Sequence, residues 1–295
     1  MAGIGGFKSP AGRDRYFQAY DKAMNECPSP DAVRDVDTRH GTTRVYRFGQ
    51  RDAPPIVLLP GLMATSACYG PIISAFAAHH PVYAIDTLGE AGRSVQIAPL
   101  TDIPDRAQCL DDVLERLQLT SVHLVGGSTG GWHAFNQAIH APGRLGSISV
   151  LDATTVTATF SRPVTCFGAV AAILNQDWAW RQFLRWSAGK DIMDQPAAQL
   201  VLAGIRTYRA RIPFQVCPSD DAIRSVRVPV LALFGARSVV HDPIFAADRL
   251  RALLPQAEVE ILSDASHYLL LRPEDRDRII DRVLKFVHRV SLDCK

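Results

Sequence analysis

The residues whose types and spacing are best suited to chemistry are Gly126-Gly127-Ser128-Thr129-Gly130-Gly131-Trp132. They follow a short apolar run, Val122-His123-Leu124-Val125, and precede a helix-like stretch from Trp132 to Ala141. A strand that passes directly into a helix leaves a tight turn. Its apex takes a strained backbone conformation, and the neighbours two positions away must be small. Gly126 and Gly130 flank Ser128 at that spacing. Such a turn lifts the Ser128 hydroxyl above the strand ends and aims the first amides of the new helix at the space where an oxyanion would form. The chemistry on offer is nucleophilic attack on a carbonyl, with a base supplied from elsewhere in the chain. A glycine-rich helix start that only binds an anion is the plainer alternative.

This G-x-S-x-G between strand and helix resembles the nucleophile elbow of the α/β-hydrolase family. The resemblance runs over about residues 35–290, and the elbow is its specific part. Ser9-Pro10-Ala11-Gly12-Arg13 and the run from Asp86 to Val95 are further similar to a subset of bacterial single-domain hydrolases. It implies an α/β-hydrolase fold: a mostly parallel central sheet flanked by helices, with an inserted helical cap. It also implies the chain order nucleophile, acid, histidine.

His267, in Ser263-Asp264-Ala265-Ser266-His267, falls where the resemblance asks for the base, just after the last apolar run. The other histidines are less suitable. His40, His79 and His80 precede the elbow, His123 lies within a strand-like run, His133 and His140 follow the elbow on its helix, and His288 is near the C-terminus. An oxyanion hole needs two backbone donors aimed at one point. The expected pair is the amide of Thr129, directly after the nucleophile, and that of Leu62 in Pro60-Gly61-Leu62-Met63, with Met63 the lesser choice. The family often reads His-Gly where this chain reads Pro60-Gly61.

The acid departs from the pattern. The family usually places Asp or Glu three residues after the glycine that ends the penultimate strand; here that position is Ser238, after Gly235. Asp242, four residues further on the same loop, is the first choice, although Asp before Pro243 also reads as a helix N-cap. Asp152, just past Leu151, is the alternative, since its strand should adjoin the elbow. In Asp86-Thr87-Leu88-Gly89-Glu90-Ala91-Gly92-Arg93-Ser94 the family's second glycine is shifted by Glu90-Ala91, and the loop is expected to be structural.

The elements that must hold these residues can be read from apolar patterning. Runs at Thr42–Phe48, 56–59, 82–85, 122–125, 148–151, 230–234 and 259–262 read as strands. Helical patterns lie between them at 67–78, 103–117, 132–141, 243–254 and 274–288, which predicts a parallel sheet with helices on both faces. Ligands bind at the carboxyl ends of strands in such sheets, and each candidate above follows a strand. Residues 1–34 read as a helical N-terminal extension, 35–153 as the first part of the core, 154–223 as the cap and 224–295 as the second part of the core. The interval 154–223 carries no long strand signal, and a structureless loop of that length is uncommon in a compact domain. Gly61, Met63, Trp132, Phe160, Trp178, Trp186 and Tyr268 are the expected pocket lining; the plainer alternative is that the cap aromatics pack the cap helices together.

Composition narrows the function. The chain has 295 residues, 47% hydrophobic and 21% charged, an ordinary globular balance. A net charge of +2 without like-charge runs offers no nucleic-acid footprint. No apolar stretch reaches the ~20 residues of a membrane span. Met1 to Gly12 lacks the apolar core of a signal peptide, and six scattered cysteines at 27, 68, 109, 166, 217 and 294 read as free thiols. A cytoplasmic protein with a small-molecule substrate, no cofactor and no metal is expected. The leading reading is a serine hydrolase cleaving an ester, lactone or thioester through an acyl-enzyme on Ser128. The alternatives are a non-hydrolytic enzyme on the same fold (a lyase, cyclase or acyl transferase) and a ligand-binding receptor or scaffold without turnover, for which Ser238 in the acid's place is the support.

Overall fold

The runs that are apolar on every residue form the middle of one sheet. In the computed structural model, which describes residues 3–293, the chain opens with a two-residue strand β1 (Gly6–Phe7) and helix α1 (Pro10–Met24). Strands β2 (Ala32–Thr38), β3 (Gly41–Phe48) and β4 (Ile56–Leu59) follow, then α2 (Gly70–Ala77), β5 (Val82–Ile85), a short β6 (Val95–Gln96) and α3 (Ile103–Arg116). Next come β7 (Val122–Gly127), α4 (Thr129–His140) and β8 (Leu145–Leu151). Helices α5 (Arg162–Leu174), α6 (Asp177–Ala188) and α7 (Pro196–Thr207), the two-residue β9 (Tyr208–Arg209) and a short α8 (Asp220–Arg224) occupy the interval before β10 (Val230–Gly235). The chain closes with α9 (Pro243–Leu253), β11 (Glu258–Leu262) and α10 (Pro273–Asp293).

The sheet order is β11-β10-β8-β7-β4-β5-β3-β2, with β6 paired to β3. Strands β11 to β5 are parallel, and β3 and β2 are antiparallel additions at one edge. β4 and β10 are buried at every residue, as befits strands covered on both faces. One apolar cluster, including Tyr16, Tyr20, Phe76 and Phe286, lies on one face; another, including Trp132, Phe135, Phe234 and Leu250, lies on the other. Gly127 pairs with Leu151, Leu151 with Leu233, and Gly235 with Leu262, so β7, β8, β10 and β11 end side by side.

Local signals set the helix starts. Ser9, Asp102, Ser161 and Asp242 each cap a helix with a side-chain oxygen, and Pro follows at the first or second helical position. The two-residue strands β1, β6 and β9 are not expected from the sequence, and two longer elements differ from its reading. β2 begins at Ala32, three residues before the expected core boundary, and its Ala-Val-Arg-Asp-Val-Asp-Thr carries charge because only Val36 is buried on this edge strand. The helix expected over 67–78 is preceded by a 3₁₀ turn at Ser66–Tyr69 and begins only at Gly70. Among the described residues no helix is long and apolar enough to cross a membrane. Cys27, Cys68, Cys109, Cys166 and Cys217 are free thiols, and Cys294 lies outside the described residues.

Candidate active site

Ser128 stands between the last residue of β7 and the first of α4, at φ 55° and ψ −121°. A residue other than glycine in that region is strained, and the surroundings must hold it there. The Ser128 amide donates to Leu151 O at 2.9 Å. Tyr69 ties the two strands beneath: its hydroxyl donates to Leu59 O at 2.7 Å and accepts from the Gly127 amide at 2.8 Å. The turn is too crowded for larger neighbours. A Cβ on Gly130 would lie 1.9 Å from Leu59 O, and one on Gly126 would lie 2.2 Å from Gly130 O.

Three side chains from three strand ends meet in a line. Ser128 Oγ is 3.0 Å from His267 Nε2, and His267 Nδ1 is 2.6 Å from Asp152 Oδ2. Asp152 follows β8, which lies between β7 and β10; its amide donates to Leu233 O at 2.7 Å. The fully buried carboxylate also accepts from the Gly235 amide at 2.9 Å and the Ser238 hydroxyl at 2.7 Å. His241 Nε2 lies 3.5 Å from Asp152 Oδ1, within ion-pair range but without hydrogen-bond alignment. Burial alone would raise the Asp152 pKa; His241 and His267 beside it outweigh burial and hold the carboxyl well below the usual range. The group is therefore a carboxylate at neutral pH. It can fix the tautomer of His267 with Nε2 toward Ser128 and stabilise an imidazolium.

Asp242, the first choice for the acid, is elsewhere. Its Oδ1 accepts from the Ile244 and Phe245 amides at 3.0 Å each, so the exposed side chain caps α9 and makes no bond to His267. The physical reason is position. Asp152 follows β8, which adjoins β7, and reaches the ring directly, whereas Asp242 opens the helix after β10 and its oxygen is taken by the α9 amides. Ser238, in the position expected of the acid, orients the carboxylate instead of replacing it.

Around the serine, Gly61 packs directly on it: a Cβ there would lie 3.4 Å from Ser128 Cβ. The Leu62 and Thr129 amides donate to no acceptor among the described residues, whereas the Met63 amide is taken by Glu90 Oε2 at 2.8 Å. Tyr268 stacks edge-on against the His267 ring with centroids 5.4 Å apart, and its hydroxyl is 3.2 Å from Ser187 Oγ on α6. The other expected pocket residues have different surroundings. Trp132 is 1% exposed, with its indole N–H on Val216 O at 2.8 Å. Trp186 packs in a cluster with Phe167 and Phe183, Phe160 pairs with Phe214, and Trp178 is 59% exposed on α6. For Phe167 of α5 and Phe183 and Trp186 of α6, packing of helix on helix is the arrangement observed.

Sequence reasoning passed over Tyr69, His241, Glu90 and Arg106. Only Glu90 had left a trace, as the residue that displaces the second glycine in the loop after β5.

Residues 56–279 match the group described as the alpha/beta hydrolase family, and the chain belongs to that family. Among its relatives, carboxylesterase YbfK of Bacillus subtilis (strain 168) is 30% identical over 281 residues, covering 92% of this chain and 93% of that one. The crystal structure of naproxen esterase (carboxylesterase NP) from Bacillus subtilis superposes with a TM-score of 0.87 at 27% identity, over 95% of this chain and 99% of that chain. That of carboxylesterase CesB (YbfK) gives 0.85 at 28% identity, over 94% and 98%.

Proposed function

We propose that the protein is a carboxylic-ester hydrolase that works through an acyl-enzyme on Ser128. The observation that carries this reading is the unbroken line Ser128 Oγ–His267 Nε2, His267 Nδ1–Asp152 Oδ2, at 3.0 and 2.6 Å. The carboxylesterase relatives support the same bond type. In the first half-reaction Ser128 Oγ attacks the ester carbonyl as its proton passes to His267 Nε2. The carbonyl oxygen becomes an oxyanion held by the Leu62 and Thr129 amides. Collapse of the tetrahedral adduct breaks the bond to the alcohol, which leaves with the proton from His267. Water then attacks the acyl-enzyme with His267 again as base, releasing the acid and restoring Ser128. Asp152 stays ionised throughout and stabilises each imidazolium. Lactones and thioesters present the same carbonyl to the same groups.

Residues 154–223 serve in this reading as a cap over the site. Two contacts support it. Gly204 on α7 lies against the Leu62-bearing loop, where a Cβ would meet Met63 O at 3.3 Å, and Ser187 on α6 meets Tyr268, the neighbour of His267. The receptor reading rested on Ser238 standing where an acid was expected, and Asp152 removes that support. The test is hydrolysis of p-nitrophenyl acetate and butyrate together with labelling by a fluorophosphonate. Burst kinetics and one label per chain, mapped to Ser128, are expected. Absence of both from the folded wild-type protein would refute the reading.

A further inference from the structure

Below the oxyanion loop lies a buried ionic cluster that the reaction above does not use. Glu90 and Arg106 are 1% and 5% exposed, from the loop after β5 and from α3. Glu90 directs one oxygen to the Met63 amide at 2.8 Å and the other toward Arg106 Nη2 at 3.5 Å. The Arg106 guanidinium also donates to Pro213 O at 2.8 Å and to His133 Nε2 at 2.7 Å, and lies 4.8 Å over the Trp132 ring. Burial, with Arg106 beside it, pushes His133 well below its ordinary pKa, so the neutral ring accepts from arginine. Burial works against both ions of the pair, raising Glu90 and lowering Arg106 to about 10, yet arginine stays charged at neutral pH. A desolvated pair of this kind does little for stability compared with apolar residues of the same size, so a local geometric role is the better account of its presence.

The turn it supports is itself strained. Met63 has φ 55°, and the Ala64 amide closes the turn on Gly61 O at 3.0 Å. Two consecutive amides, those of Met63 and Ala64, are thereby anchored, while the preceding Leu62 amide has no acceptor among the described residues. Without an anchor for Met63, the Ala64–Gly61 bond alone is left to hold the turn in a left-handed conformation that is strained in a residue with a side chain.

We propose that Glu90, backed by Arg106, is a positioning residue for the oxyanion hole: its hold on the Met63 amide sets the turn that presents the Leu62 amide to the substrate oxygen. Arg106 joins this turn to the segment at Pro213 that returns from the cap to the core, so the oxyanion donor and the cap share one buried anchor. The proposal rests on the hydrolase reading above, and its test separates the two.

Glu90→Gln and Glu90→Met are matched in size and both remove the charge; only glutamine still offers an oxygen to the Met63 amide. The pair is compared in the wild-type background and with Arg106→Met, where no buried cation is left unpaired; because Arg106→Met also removes the donor to Pro213 O and His133 Nε2, folding of every variant is checked by circular dichroism. In either background kcat for p-nitrophenyl butyrate should be roughly 10–100-fold higher for Glu90→Gln than for Glu90→Met, the scale of a displaced oxyanion donor. KM should differ by less than about threefold, because the donor strengthens its bond only in the transition state. Affinity for a trifluoromethyl ketone, which forms an oxyanion on Ser128, should fall in step with kcat. Equal kcat and equal inhibitor affinity for the two variants in the Arg106→Met background would overturn this proposal alone. A wild-type protein that neither hydrolyses esters nor takes a fluorophosphonate would overturn the hydrolase reading and this proposal with it.

Discussion

In the proposed reaction Ser128, His267 and Asp152 divide the work, and substitutions separate their parts. Ser128→Ala should abolish fluorophosphonate labelling and lower kcat by about 10⁴-fold or more with the fold intact, as read by circular dichroism. Asp152→Asn leaves an acceptor for the ring but no charge for the imidazolium, and should lower kcat by roughly 10²–10⁴-fold. Asp242→Asn is the control that decides between the two aspartates. Asp242 caps α9 and bonds no histidine, so kcat should stay within about twofold, asparagine being an equally good cap. Comparable losses in the two asparagine variants would contradict the assignment of the acid. Asp152 also predicts an effect of pH on stability. Its folded pKa is depressed, so its stabilising contribution is complete above the unfolded value near 4 and is lost as pH falls through the folded one. The midpoint of thermal unfolding should therefore drop below about pH 4, and the drop should be shallower in Asp152→Asn.

At the scale of elements, the β7–α4 turn is the feature that tolerates least. A methyl group on Gly130 would meet Leu59 O at 1.9 Å, and that atom is backbone of the neighbouring strand β4. α4 would have to move away from the sheet, carrying the Thr129 amide and Ser128 with it. Gly130→Ala should lower kcat/KM by about 10²-fold or more, the scale of a displacement near 1 Å, and reduce the unfolding midpoint as well. Tyr69→Phe probes the same turn from below. It removes the hydroxyl shared by Leu59 O and the Gly127 amide, and should cost about 1–3 kcal/mol in urea unfolding because both backbone groups are left buried. No change in the urea midpoint of Tyr69→Phe would show that the turn holds itself.

For the molecule as a whole, the N-terminal segment joins the core to the inserted helices. β1 pairs with β9, Lys8 reaches Arg206 O, and Arg15 and Arg206 both bind Asp177 on α6. On the core side, Tyr20 donates to Asp86 at 2.8 Å and meets the Tyr46 hydroxyl at 2.8 Å. Tyr16 is equally buried, but its hydroxyl has no hydrogen-bond partner among the described residues. The two tyrosines should therefore respond differently to loss of one oxygen. Tyr20→Phe leaves Asp86 short of a donor and should destabilise by about 1–3 kcal/mol, whereas Tyr16→Phe should be neutral or slightly stabilising. Calorimetric unfolding with the same loss in both would contradict this arrangement.

What was legible in the sequence was local. A strand-to-helix turn with glycines at fixed spacing has one physical solution, so Ser128 could be read from its neighbours alone. The fully apolar runs could be strands only if both faces were covered, which implied the parallel sheet and brought His267 to a strand end. β2 was missed because an edge strand with one buried residue has no hydrophobic pattern to read. The acid could not be read either, since the loops after β8 and after β10 both end beside the carboxylate–histidine pair. Asp152 and Asp242 look alike along the chain: each follows an apolar run, and each is open to a partner. Sheet order separates them, setting β8 between β7 and β10 so that Asp152 points at His267, while the amides of α9 claim Asp242. The same holds for Glu90 and Arg106, sixteen positions apart, whose charges meet only because the loop after β5 and helix α3 fold against the oxyanion turn. Short-range sterics and apolar patterning act between neighbours and can be read in order; pairings across the sheet are decided by tertiary contact.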